Sequence, residues 1–352
     1  MDTIALEPVD SVTITTLVDN VLDVFMPAQG PATRFTEPAA RRTAASTLDG
    51  GEAPDHPRAE HGFSALVTVD TGGSKAHMLF DAGRTPDGLA HNMRCLDIDP
   101  STVEAVVLSH GHFDHTTGLD GFARALGRVA LPVVIHPAFW SQRRVTLPGR
   151  EPWELPSTSK LALEETGFDV IEQQQPSFLL RRSVLVTGEV DRSNDFEPGF
   201  PIQEVLRGGR WEPDPLVLDD QAVIINVRDR GLVVMTGCGH AGVVNTVTYA
   251  QRLTGVERVH AIIGGFHLNG PIFEPLIPKI CDAFTQFAPD IIVPAHCTGW
   301  KAIHRMAAAF PDAFVPNSVG SRFELRAPEA QPDQWPASGE QTGDAAADEE
   351  RT

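Results

Sequence analysis

Residues 106–115 read Val-Val-Leu-Ser-His-Gly-His-Phe-Asp-His, an apolar run that breaks off into three histidines and an aspartate. Short, wholly apolar and β-branched, the run suits a buried strand. It stops where the polar residues begin, and the small residues Thr116, Thr117 and Gly118 follow. In an extended or tightly turned backbone, residues two apart point the same way. His110 and His112 can therefore offer imidazole nitrogens to one cation at about 2.0–2.1 Å. Asp114 and His115, displaced along the loop, would face a second cation. Imidazoles on one metal and a carboxylate on its neighbour form the arrangement with which two-metal hydrolases share a hydroxide. The plainer reading is a polar loop of surface histidines. It suits one histidine better than a His-x-His-x-Asp-His run placed directly after a buried strand.

Strand and helix signals recur along the rest of the chain. Val12–Val18 alternates Val, Ile and Leu with Thr and ends at Asp19-Asn20, as a half-buried strand does. Residues 63–69 and 76–80 predict two strands joined by Thr71-Gly-Gly-Ser74, which is hairpin chemistry. Residues 132–135, 184–186, 221–226, 232–235, 259–263 and 291–293 predict further strands. Leu119, Phe122, Ala123 and Leu126 recur at helical spacing just after the histidines. Helices are also expected over residues 86–96, from Val243 to Gly255, around Ile277–Phe284 and around Ile303–Phe310. Pro27–Glu60 reads as a long loop, Glu151–Gln175 as loop with short elements, and Phe196–Pro215 as a Pro- and Gly-rich loop. From Ala327 the chain is Pro, Ala, Gly and acid with one Trp, so residues 327–352 are expected to form a disordered acidic tail.

Several of these strands run into reactive side chains: Thr236-Gly-Cys-Gly-His-Ala-Gly242, Gly264-Gly-Phe-His267 and Pro294-Ala-His296. These phrases carry a resemblance. Leu108–Gly118 resembles the signature of the metallo-β-lactamase superfamily. Thr16–Asn20, Glu60–Ser64, Thr236–Gly242, Ile263–Leu268 and Pro294–Gly299 are similar to one branch, the metal-dependent hydrolases related to 7,8-dihydropterin-6-yl-methyl-4-(β-D-ribofuranosyl)aminobenzene 5'-phosphate synthase. The likeness runs from about Val12 to Phe323.

The resemblance implies an α/β chain folded as a four-layer αββα sandwich, a single domain over residues 1–326 with metals at the edge of two packed sheets. It implies two divalent metal ions, Zn²⁺ first, with Mn²⁺ or Fe²⁺ as alternatives. His110, His112, Asp114, His115, His240 and His296 are the expected ligands. Asp81 is expected beneath the metal loop, orienting a ligand histidine, and Asn20 beside the same site. Many members place another ligand histidine where this chain has Glu189. His240 is the expected replacement, with Cys238 and Glu189 as rivals for that third ligand; a thiolate is the softer choice. Asp114 would position the nucleophile, and His267 would protonate the leaving group, bind metal, or simply end a strand. Arg143 or Arg192 would steady an anionic substrate.

The 352 residues carry a formal net charge of −19, which speaks against nucleic acid or an anionic membrane as the main partner. No apolar run approaches the roughly 20 residues that cross a bilayer. The first residues, with Asp2, Glu7 and Asp10 and no basic region, do not read as a secretory signal. Cys95, Cys238, Cys281 and Cys297 are scattered without a Cys-x-x-Cys pair, which suits a cytoplasmic protein without a disulfide framework. The expected function is hydrolysis of a small anionic phosphoester or lactone-type substrate through a hydroxide shared by two metals. One alternative is a transferase condensing a dihydropterin-methyl diphosphate with an aminobenzene ribose phosphate. The other is a non-catalytic metabolite-binding protein, against which the intact set of histidines argues. A small-molecule partner is common to all three, and the oligomeric state is not legible.

Overall fold

The computed structural model describes residues 3–36, 41–127 and 130–329. Eight strands form one sheet, in the order Phe168–Glu172, Leu131–Ile135, Ala105–Val107, Ser74–Phe80, Ser64–Thr71, Ser11–Val18, Arg322–Arg326 and Ala32–Thr33. A second sheet has six, in the order Ser177–Leu179, Val184–Val186, Val223–Val227, Gly231–Thr236, Val259–Gly265 and Ile291–Ala295. Side chains alternate across a strand, so an apolar strand supplies one row to each face. Val67, Val69, Met78 and Phe80 meet Ile225, Val233, Met235 and Ile263 between the sheets. The opposite rows face outward onto helices. Leu66, Leu79, Val106 and Val133 pack with Leu89, Met93, Phe122 and Leu163 of the helices Gly88–Cys95, Leu119–Leu126 and Lys160–Thr166. Ile224, Leu232, Val234 and Ile262 pack with Val247, Ala250, Phe284 and Met306 of Val243–Thr254, Ile277–Phe287 and Trp300–Ala309. Helix, sheet, sheet and helix make the four-layer αββα sandwich. Each fully buried Val, Leu, Ile, Phe or Met contributes about 1.5–3 kcal/mol of transfer free energy.

The hairpin between Thr71 and Ser74 forms as expected: Gly72 and Gly73 take φ of 60° and 80°, which only glycine adopts freely. The three stretches read as loop do contain strands. Within residues 27–60, Arg41–Ala44 and Glu52–Asp55 pair as a separate ribbon. Residues 151–175 hold the helix Lys160–Thr166 and the edge strand Phe168–Glu172, parallel to Leu131–Ile135. Residues 196–215 hold the hairpin Gln203–Arg207 and Arg210–Pro213, part of a small four-stranded sheet with Arg143–Val145 and Trp153–Glu154. Residues 330–352, most of the expected tail, lie outside the described residues. No helix among the described residues is long and apolar enough to cross a membrane.

What places the site is strand direction. Ser74–Phe80, Ala105–Val107 and Leu131–Ile135 are mutually parallel, and so are Gly231–Thr236, Val259–Gly265 and Ile291–Ala295. Asp81 and Ser109–His110 therefore leave one sheet where Cys238, His267 and His296 leave the other. In such sheets the carboxyl ends of parallel strands are where ligands bind.

Candidate metal centre

The histidine loop is tied down from below. Asp81, fully buried, accepts hydrogen bonds from the Ser109 amide (2.7 Å) and hydroxyl (2.8 Å), and its Oδ2 lies 2.7 Å from His115 Nδ1. Gly237 allows this approach, because a Cβ there would stand 2.1 Å from Ser109 Oγ and 2.6 Å from Asp81 Oδ2. A Gly111 amide hydrogen bond to Asp219 (2.8 Å) holds the middle of the loop.

Four histidines share one pattern: an outer nitrogen bonded to the protein and an inner nitrogen turned to a common centre. The outer contacts are His110 Nδ1 with Ser109 Oγ (2.9 Å), His112 Nε2 with Gln203 Oε1 (2.6 Å), His115 Nδ1 with Asp81, and His296 Nδ1 with Asn20 Oδ1 (3.3 Å). Asn20 also donates to the His296 carbonyl at 2.9 Å. Inside, His110 Nε2 lies 2.9 Å from His112 Nδ1, His115 Nε2 lies 3.2 Å from Cys238 Sγ, and His296 Nε2 lies 3.6 Å from Asp114 Oδ2. Donor atoms of His110, His112 and His240 lie within 4.8 Å of one another, as do those of His110, His115 and Cys238, and those of Cys238, His240 and His267. His240 and Cys238, rivals in the sequence, thus both reach the cluster, with Cys238 between its two lobes.

Burial, followed by the crowding of neighbouring imidazoles, holds His110 and His240 well below the ordinary histidine range. Burial likewise carries His112 and His296 down to about 4. These are neutral rings with lone pairs to offer. For His115, burial pulls downward but Asp81 and Asp114 outweigh it, raising the ring to about 9. Burial would raise Asp114, yet His115, His296 and His112 bring it down to about 2. Burial pushes the Cys238 thiol up, a preference that a bound cation reverses. Asp81, His267 and His296 all hold positive φ, at 59°, 46° and 48°. Backbone strain of that kind, about 1–3 kcal/mol per residue, collects at functional sites.

Three expected residues stand elsewhere. Glu189 accepts from Gln174 (2.8 Å) and lies 3.7 Å from His136, apart from the donor groups above. Arg143 is 3% exposed, and its guanidinium is taken up by Asp219 at 2.5 and 3.0 Å. It is not free to grip a substrate, because a fully buried carboxylate requires its cation. Arg192 donates to the carbonyls of His240 (3.3 Å), Ala241 (3.1 Å) and Leu216, so it braces the His240 loop. Sequence reasoning missed Gln203, Asp219 and Asp220. The Asp220 carboxyl, raised by burial to about 7, accepts from the Ala241 amide (2.7 Å) and lies 3.8 Å from His110 Nδ1. It also missed His61, whose ring lies 4.9 Å from that of His296, and Arg84, 4.7 Å over Phe113. Both line the cleft of about 160 Å³ that opens onto His112, Asp114, Cys238, His240, His267 and His296. The signal for His61 was available in Glu60-His-Gly-Phe-Ser64.

A family model for the metallo-beta-lactamase superfamily matches residues 58–252. The 7,8-dihydropterin-6-methyl-4-(beta-D-ribofuranosyl)-aminobenzene-5'-phosphate synthase of Methanocaldococcus jannaschii is 29% identical over 263 residues, 72% of this chain and 86% of that protein. An uncharacterised protein of the same organism is 28% identical over 264 residues, 74% of this chain and 92% of its own length. A solved metal-dependent hydrolase of the beta-lactamase superfamily superposes with a TM-score of 0.66 at 22% identity, over 90% of this chain and all of that one. At that identity the likeness establishes the fold.

Proposed function

The chain belongs to the metallo-β-lactamase superfamily, and from that premise we propose that it is a metal-dependent hydrolase of a small phosphoester- or lactone-type substrate. The observation that carries the reading is the set of pinned histidines whose inner nitrogens converge. Both nitrogens of His240, Nε2 of His296 and Nδ1 of His267 are buried without a hydrogen-bond partner. Leaving such atoms unsatisfied costs about 1–3 kcal/mol each, and a cation would satisfy Nε2 of His296 and one nitrogen of His240, while Nδ1 of His267 stays open to substrate. Neutral imidazoles with a carboxylate and a thiol suit Zn²⁺, with Mn²⁺ and Fe²⁺ next. His110, His112 and His240 would hold one ion; Asp114, His115 and His296 the other, with Cys238 between. Bound there, two such ions would polarise the substrate oxygen and lower the pKa of water.

The chain's own residues do the rest. Asp114, ionised and facing His296 and His61, would accept a hydrogen bond from the attacking water and orient it, the water's proton leaving to solvent. His267, with Nδ1 unpartnered and its ring 4.5 Å from that of His240, returns a proton to the leaving oxygen. Arg84 takes the anion-steadying role first expected of Arg143 or Arg192, because it is the arginine that lines the cleft. Asp81, Ser109, Gln203 and Asn20 hold the rings in place.

Elemental analysis of the purified chain tests this, together with His110→Ala, His240→Ala and Cys238→Ala variants. Two equivalents of transition metal, reduced by His110→Ala and His240→Ala, with metal-dependent turnover of a lactone and phosphoester panel, is the expected result. No metal, or metal indifferent to His110→Ala, would overturn it in favour of the metabolite-binding reading. The identity with the pterin-related synthase favours a second reading, condensation of a dihydropterin-methyl diphosphate with an aminobenzene ribose phosphate. Product formation from that pair, with no hydrolysis of the panel, would select it.

A further inference from the structure

Beside the histidine cleft lies a much larger cavity of about 740 Å³, within the roughly 300–1,000 Å³ of sites that enclose drug-sized ligands. The two adjoin, with His61, Phe200, His267, His296 and Cys297 in the lining of both. We propose that this cavity houses an uncharged, extended apolar group of the substrate, so that the bond cleaved belongs to an ester or lactone carrying a long acyl chain. This rests on the hydrolase reading.

Three observations support it. The walls carry no Lys or Arg among the described lining residues. Asp19, the one carboxylate among them, is buried and bonded to the His296 amide (2.7 Å) and to Asn317 (2.8 Å). The amides of Asn20 and Asn317 are turned into the protein by hydrogen bonds to His296 and to Thr16 and Asp19. Away from the histidines at its inner end, a phosphate would therefore lose its hydration here without an Arg or Lys to replace it. Second, Phe200 and Phe273 form an apolar cluster of their own with Val217 and Ile202, outside the layers of the sandwich. Third, the mouth is ringed by large apolar side chains from separate segments, Val21, Leu147, Ile272 and Trp300, exposed by 44, 42, 38 and 64%. Exposure gathered around one opening marks a surface that something covers. The polar end of such a substrate would lie towards Arg84, on the far side of the histidines.

The zinc-loaded full-length chain should hydrolyse p-nitrophenyl acetate, butyrate, hexanoate and octanoate with kcat/KM rising by about fourfold per methylene until the cavity fills. In Ile272→Ser and Trp300→Ala the slope of that series should fall. Calorimetric binding of octanamide but not acetamide gives a readout independent of turnover. Octanamide binding without hydrolysis of any ester would keep the apolar cavity and overturn the ester-cleaving half of the proposal together with the hydrolase reading. Hydrolysis with a flat series and no octanamide binding would overturn the cavity proposal and leave the hydrolase standing. Binding to phosphatidylcholine vesicles in place of octanamide would overturn it in favour of a membrane-facing rim.

Discussion

Replacing Asp81 with Asn exchanges one oxygen of a fully buried side chain for nitrogen, and so isolates what the second carboxylate oxygen does. Oδ1 accepts from the Ser109 amide at 2.7 Å, while Oδ2 accepts from Ser109 Oγ at 2.8 Å and lies 2.7 Å from His115 Nδ1. An amide offers a single acceptor. If that oxygen keeps the Ser109 amide, the NH2 group meets the serine hydroxyl and the histidine N–H, both donors. His115 can accept from the NH2 only by moving its proton to Nε2, the nitrogen 3.2 Å from Cys238 Sγ and turned to the centre. That tautomer has no lone pair left for a cation. Loss of such an outer partner weakens a metal site by about 10–100-fold, or about 1.4–2.7 kcal/mol. Competition for zinc against a fluorescent chelator measures it. One of two equivalents should weaken by that factor, and the other, served by His110, His112 and His240, should weaken less, through the Ser109 hydroxyl that links Asp81 to His110. Ser109→Ala, which removes the partner of His110 Nδ1 at 2.9 Å, should weaken the second equivalent instead. Two equivalents unaffected by Asp81→Asn in a folded protein would refute the argument, as would equal weakening of both.

Arg143→Ala leaves Asp219 buried without its cation, so thermal unfolding should show a loss of about 3–5 kcal/mol; an unchanged melting temperature with a raised KM would return Arg143 to the substrate. Zinc at about 1,000 times its Kd should stabilise the chain by about 4 kcal/mol over the chelated protein, read by scanning calorimetry; identical melting in zinc and in chelator would refute a metal centre. Arg84→Ala should raise KM for an anionic substrate by about 10–100-fold, the worth of a charge-assisted hydrogen bond, and leave a neutral ester unaffected; equal effects on both would show that Arg84 shapes the cleft without binding charge.

The strands that build the sandwich were legible because both faces are buried: Val106, Val133 and Ile262 have no polar alternative to explain. The gathering of the histidines was legible because residues two apart at a strand end point the same way. What escaped the sequence depends on pairing between distant segments. Gln203–Arg207 is a short strand of mixed polarity, and nothing local shows that Gln203 will bond His112, 91 positions away. Arg143, with Arg144 beside it, reads as a basic pair open to an anion. Burial separates them: Arg143 is locked onto Asp219, while Arg144 pairs with Glu204 at 2.8 Å. Arg192 was misread for the same reason, since the carbonyls that hold it belong to segments 24 and 48 residues onward. Glu189 was placed by where relatives carry a histidine, and the chain turns that carboxylate to Gln174 instead. The ribbon Arg41–Ala44 and Glu52–Asp55 and the edge strand Phe168–Glu172 carry almost only exposed or half-buried positions, so a clear buried row that would announce a strand is absent from them.

The outer contacts of the four pinned histidines come from four separate parts of the chain: the bend after the first strand at Asn20, the strand end at Asp81, Ser109 within the loop, and the small sheet at Gln203. Each orients one ring before any cation arrives. Orientation by the protein is what lets ligands bind without first ordering themselves. It has a cost visible at Asp81, His267 and His296, whose positive φ the two packed sheets must hold against about 1–3 kcal/mol of strain apiece. A small domain that folds around its metal could not sustain this, because it has no core to oppose the strain. Here the opposing core is the row of buried side chains between the sheets. It follows that chelation should lower the melting temperature while leaving the far-ultraviolet circular dichroism of the native chain intact at 25 °C. A coil spectrum on chelation would mean that the metal organises the fold rather than the fold the metal site.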